Sequence, residues 1–180
     1  MSGRRLAFLI DASGVSHFPG HPTSVADIEQ LKEVLSSPEI GRFSVSAVAN
    51  PDEERAKAAI REFFGGSHPD DVLLLYFVGY LLVPGNNRLW FALSTTDPSA
   101  VEKTSISAEF VVAEIKAAAA RNIVVVLDAQ IGVHQDSLPL GAWHHYLQLE
   151  DKCEAMLAAS AGPDFSFPAR SAVAQLPANF

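Results

Sequence analysis

The chain has 180 residues, 48% of them hydrophobic, with 13 Lys and Arg against 21 Asp and Glu. That is enough apolar material for one sizeable core, and it excludes a disordered chain. A net charge of −8 without a basic cluster leaves nothing to offset the repulsion of phosphates, which excludes a nucleic-acid or anionic-membrane surface. The longest unbroken apolar run is far short of the ~20 residues of a membrane helix, and the N-terminus lacks a signal-peptide pattern, so a soluble cytoplasmic protein is expected. A lone cysteine, Cys153, allows neither an internal disulfide nor a zinc knuckle.

In chain order, Leu6 to Ile10 reads as a first strand ending at Asp11, followed by a loop rich in Gly, Ser, His and Pro from Ala12 to Pro22. Ser24 and Asp27 fit a capping box, and Val25, Ile28, Leu31, Val34 and Leu35 recur at helical spacing until Pro38 and Gly41. Phe43 to Val48 alternates as a second strand. Asn50, Pro51 and Glu53 then offer a cap, a first-turn proline and an acid for a second helix, whose apolar face is Ala56, Ala59, Ile60, Phe63 and Phe64 and which ends at Gly65 and Gly66. Val72 to Val78 is a third strand.

From Gly79 to Phe91, Pro84, Gly85, Asn86 and Asn87 between apolar flanks predict a projecting hairpin. A third helix over about Ser107 to Ala120 leads into Ile123 to Leu127, a β-branched run with the profile of a parallel strand buried on both faces and ended by Asp128. Beyond it, Leu138 to Leu149 is a weaker helix and Met156 to Ala159 a last strand before a Pro- and Ala-rich tail. Strands alternating with helices predict a parallel α/β sheet with helices on both faces. The ligand crevice of such sheets lies outside the strand carboxyl ends, which directs attention to Asp128, Ala129, Gln130 and Ile131 in the loop expected there. No Gly-x-Gly-x-x-Gly, no phosphate-loop Gly-Lys-Ser/Thr and no Gly-x-Ser-x-Gly elbow occurs.

Two stretches carry a resemblance. V-L-L-L-Y-F-V-G-Y-L at Val72 to Leu81 and V-V-V-L-D-A-Q-I-G at Val124 to Gly132 resemble the two catalytic strands of the caspase and metacaspase family, particularly bacterial caspase-like domains. In that family the first strand ends in Tyr-Phe-Ser-Gly-His-Gly and the second in Asp-x-Cys-x-Ser-Gly. Tyr80 falls at the catalytic histidine and Gln130 at the nucleophilic cysteine, with the family's interval of about 50 residues. L-A-F-L-I-D, the stretch from Phe18 to Val45 and the Asn-Pro before helix two are also similar, so the likeness covers Arg5 to about Ala161. It implies a three-layer α/β/α sandwich with a mostly parallel central sheet over residues 1–161. The first strand would lie between the second and third, with the strand Ile123 to Leu127 beside the third. Residues 162–180 would be a tail, or a linker to a further domain.

Proteolysis is not implied. The reaction needs a thiolate and an imidazole, and a carboxamide and a phenol of pKa near 10 supply neither. Leu81 replaces the glycine that the resemblance places in the oxyanion hole, and Gly132-Val133 replaces the Ser-Gly after the cysteine. What the resemblance implies is an inactive regulatory or scaffolding domain without metal or cofactor. Its crevice residues would be Asp11, Tyr80, Asp128 and Gln130, with Asp128 where metacaspases line a pocket for a basic residue. A protein or peptide partner is expected, including an active homologue or other domains of a larger protein.

The alternative is a hydrolase using Cys153 or a histidine of the group His134, His144 and His145. His144 and His145 are adjacent and would face different sides of a helix, against a shared metal. His17 and His21 read as turn residues, and Asp11 and Asp128 each have a bland reading as local hydrogen-bond acceptors. The isolated domain is expected to be a monomer, or to pair through the hairpin Leu81 to Phe91 and exposed apolar residues around Trp90 and Trp143.

Overall fold

The computed structural model describes residues 3–15, 17–18, 25–84, 88–134, 147, 155–158 and 165–167. Strand β1 (Arg5–Asp11) is followed by α1 (Val25–Ser36), β2 (Ser44–Ala49), α2 (Glu53–Gly65) and β3 (Val72–Val83). Then come β4 (Trp90–Phe91), a short α3 (Val101–Thr104), β5 (Ile106–Ser107), α4 (Ala108–Ala117) and β6 (Asn122–His134). Two further strands are β7 (Ala155–Ala158) and β8 (Phe165–Phe167). The chain is α/β with a mixed sheet. Its parallel part runs β2–β1–β3–β6, the order stated above, because the two longest apolar runs, β3 and β6, need neighbours on both sides and take the middle.

The sheet becomes mixed where β1 ends. The Ala12 N–H still donates to the Val78 carbonyl over 2.8 Å; one step further the Ala92 N–H donates to Tyr80 over 2.9 Å, and Leu81 and Leu82 pair antiparallel with Phe91 and Trp90. β4 thus replaces β1 beside β3. Gly79 sits at the hand-over with φ 153°, and a Cβ there would lie 2.9 Å from the Ala12 carbonyl oxygen, so only glycine lets the two chains approach.

This continuation corrects the expected strand ends. β3 runs on to Val83 instead of stopping at Val78, and β6 runs to His134 instead of Leu127, so Asp128, Ala129, Gln130 and Ile131 lie within a strand and not in a loop. The cause is pairing: from Gly79 to Val83 each residue of β3 has a register partner in β6, Ala129 to Val133. The expected hairpin forms, β3 and β4 pairing antiparallel, but it does not project. Leu82 is 0% exposed, Trp90 9% and Phe91 4%, so its arms are core and offer no exposed apolar patch.

Side chains alternate between two faces. On one, Phe8, Ile10, Leu73, Leu75, Phe77, Ile123, Val125 and Leu127 pack with Ala56, Ile60 and Phe64 of α2 and Val111 and Ile115 of α4. On the other, Leu9 and Val78 meet Ile28 of α1. Towards the strand tips on this second face, Tyr80 and Leu82 join Val15, Phe18, Trp90 and Val101. α4 is capped by Ser107, which accepts from the Phe110 N–H. For α2 the expected cap moves: Asp52 accepts from Arg55 over 2.9 Å, while Asn50, at φ 44°, accepts from the Gly14 N–H over 2.9 Å and ties down the loop after β1.

At the opposite end of the strands, the buried Asp71 carboxylate binds Arg4. It accepts from the Arg4 N–H (2.8 Å), from Nε (3.1 Å to one oxygen) and from the His68 N–H (2.8 Å). The Arg4 side chain, with the two backbone N–H groups, holds the Asp71 carboxyl well below the usual carboxylate range.

β7 pairs parallel with β6 close to the expected position, and β8 pairs with Gly132 to His134. The sheet therefore takes in residues 165–167, past the boundary drawn at Ala161. Ser24, His21, Trp143, His144, His145 and Cys153 lie outside the described residues. Among the described residues, no helix is long and apolar enough to cross a membrane.

Candidate functional site

Parallel register sets the site. Asp11 is the partner of Val78, and Val78 of Asp128, so the two acids stand level on β1 and β6 with one strand between them. Neighbouring strands are about 4.8 Å apart, which puts their Cα atoms roughly 10 Å from each other. One pleat further on, Tyr80 is the partner of Gln130. Paired residues of a parallel ladder project to the same side, so all four residues singled out in the sequence share the α1 face of the sheet.

Their surroundings differ. Asp11 is buried and accepts from the Ser13 N–H (3.0 Å) and hydroxyl (2.6 Å), a local turn that engages it at the end of β1. Tyr80 is fully buried, its ring 5.3 Å from that of Phe18 and tilted by 37°. Asp128 and Gln130 are half-buried. Asp128 accepts from the Tyr76 hydroxyl over 2.9 Å. Tyr76 was missed from the sequence, yet a signal existed: it lies two residues before Val78, on the face that Asp128 shares.

His17 is exposed and near Asp97, whose carboxyl is lowered mainly by the hydroxyl and N–H of Ser99, with a smaller contribution from His17. Among the described residues, no three His, Cys, Asp or Glu side chains are grouped to hold a metal ion. The strand pair therefore presents a carboxylate, a carboxamide and phenols. These can accept and donate hydrogen bonds and counter a cation, but contribute no thiolate and no imidazole. Compared with known proteins, the chain matches no family model and no curated sequence.

Proposed function

We propose that this chain is a catalytically inactive caspase-like domain that regulates or scaffolds by binding a protein or peptide partner. The observation that carries the reading is the pairing of Tyr80 with Gln130 on adjacent parallel strands, at the two positions where the resembling family has its histidine and cysteine. The strand order β2–β1–β3–β6 and helices on both faces support the finer architecture, a caspase-like three-layer α/β/α sandwich. With Tyr80 packed against Phe18 and Gln130 in place of a nucleophile, the strand pair has become a hydrogen-bonding wall.

In this reading Asp128, half-buried and oriented by Tyr76, is the group that meets a basic side chain of the partner. The domain acts in the cytoplasm, as a monomer when isolated, alongside an active homologue or further domains of a longer protein. Purified protein is expected not to cleave peptides with Arg, Lys or Asp before the scissile bond, with or without calcium. Cleavage abolished by Cys153→Ala would overturn the reading in favour of relocated catalysis. A partner captured from the native host should be held less well by Asp128→Ala; undiminished capture would remove the crevice from the interface.

A further inference from the structure

β6 is a central strand, yet only one of its faces is fully covered. Ile123, Val125 and Leu127 are at most 2% exposed in the core formed with α2 and α4, whereas Val124 and Val126 on the opposite face are only half-buried, as are their register partners Leu74 and Tyr76 on β3. A parallel strand with apolar residues on both faces is ordinarily buried on both. The handedness of the connections explains the difference. β2 to β3 and β3 to β6 cross the sheet in one direction, which sends α2 and α4 to one face; β1 to β2 crosses in the other, which brings α1 to the face of Val124. Leu147, between β6 and β7, is buried with the α2 and α4 core. Among the described residues, α1 is the one helix on this face below the strand tips, and it packs on β1 and β2.

An apolar trough is left beside α1, with Leu74, Tyr76, Val124 and Val126 as its floor. In a right-handed crossover the flank of α1 that carries Leu31 and Val34 turns towards β3, and the flank of Lys32 and Ser36 towards β2. Val34, 46% exposed, is therefore the wall of the trough. Asp128, held by the Tyr76 hydroxyl, stands at its end nearest the strand tips and is the one charged side chain that residues 74–78 and 122–130 turn to this face. From Val124 to Asp128 the floor runs roughly 13 Å, the length of between two and three turns of helix.

The face of a paired sheet offers no free backbone edge, so an added strand has nothing to bond there, and the apolar stripe of a helix is what covers it. A second copy does not supply that stripe. Apart from Val34, the exposed described residues of α1, α2 and α4 are polar, charged, alanine or glycine, and the outer face of α1 would bring Glu29 and Glu33 towards Asp128. We propose that the trough takes up an amphipathic helix of another protein, its apolar stripe resting on Leu74, Val124 and Val126 against Val34 and one arginine or lysine meeting Asp128. The inference rests on the reading of Asp128 as the group that meets the partner's cation, and adds the form of the partner and the surface that holds it.

The test titrates the full chain, with isotope-labelled valine and leucine methyl groups, with a synthetic helix that carries a leucine stripe at helical spacing and one arginine at its end. Controls are the same helix with glutamate for that arginine and a scrambled helix of equal composition. The arginine helix should move the methyl signals of Val34, Leu74, Val124 and Val126, the glutamate helix should bind roughly tenfold more weakly, and the scrambled one should not bind. Val34→Glu, at an exposed position, should weaken the arginine helix about tenfold, and Asp128→Asn should remove its advantage over the glutamate helix. No binding, equal binding of the scrambled helix, or shifts confined to other methyls would overturn the proposal. So would Val124 and Val126 methyls shielded from a dissolved paramagnetic probe before any peptide is added, whether this chain's own tail or a dimer seen by light scattering covers them. Partner capture that falls with Asp128→Ala and not with Val34→Glu would overturn the helix trough and leave the reading of Asp128 standing. A preference for arginine that survives Asp128→Asn would overturn both.

Discussion

The Tyr76 hydroxyl donates a hydrogen bond to the Asp128 carboxylate over 2.9 Å, joining the two central strands on the face that also carries Tyr80 and Gln130. Both residues are half-buried, so the bond is partly shielded from water and orients the acid at the level of Asp11. Tyr76→Phe keeps the ring and removes only the donor. It should cost about 1 kcal/mol in urea unfolding, the scale of one net hydrogen bond. Asp128→Asn should cost less, because a carboxamide still accepts. A larger loss for Asp128→Asn than for Tyr76→Phe would show that other partners of the carboxylate matter more than the phenol.

Leu82 lies in the part of β3 that was expected to be an exposed hairpin arm and is 0% exposed. Leu82→Ala should destabilise by about 3 kcal/mol, the usual range for truncating a buried leucine. Leu82→Glu should abolish folding, since the new carboxylate would face Val15, Phe18 and Trp90 with no cation among them. A folded, stable Leu82→Glu protein by circular dichroism would return this segment to the surface.

The Arg4–Asp71 pair sets an acid limit on stability. Asp71 has a depressed carboxyl pKa in the folded chain, against about 3.9 when unfolded. The stability it contributes is thus complete above about pH 4 and is lost as the pH falls below that towards the folded value. Asp71→Asn should lower the urea midpoint at neutral pH and flatten its decline between about pH 4 and pH 2. Parallel declines in the two proteins would assign acid sensitivity to other carboxylates.

Under the proposed caspase-like reading, the exchanges Tyr80→His and Gln130→Cys together should not confer proteolysis. Tyr80→His exchanges a fully buried phenol packed on Phe18 for a smaller polar ring, and Leu81 beside it is also buried, pairing with Phe91 and Ile131. The double variant Tyr80→His, Gln130→Cys is expected to be less stable and inactive on fluorogenic Arg and Lys peptides. Turnover by that variant, lost again on Cys alkylation, would show that the surrounding strand already forms a working hole.

The sequence alone determined the order and kind of the main elements. The apolar runs Val72 to Val78 and Ile123 to Leu127 lie in the central strands, Ala56, Ile60 and Phe64 line the buried face of α2, and Gly66 ends it, because period, branching and caps act over a few neighbouring residues. Tertiary structure decided where the strands stop. Nothing within Gly79 to Val83 or Asp128 to His134 says that each will find a partner in the other, and that pairing turned an expected loop into sheet and an expected exposed hairpin into core. Asp128 was visible as a polar residue after an apolar run, but its bond to Tyr76 was not. That bond exists because register, set by two whole strands together, brings residues 52 positions apart in sequence onto one face.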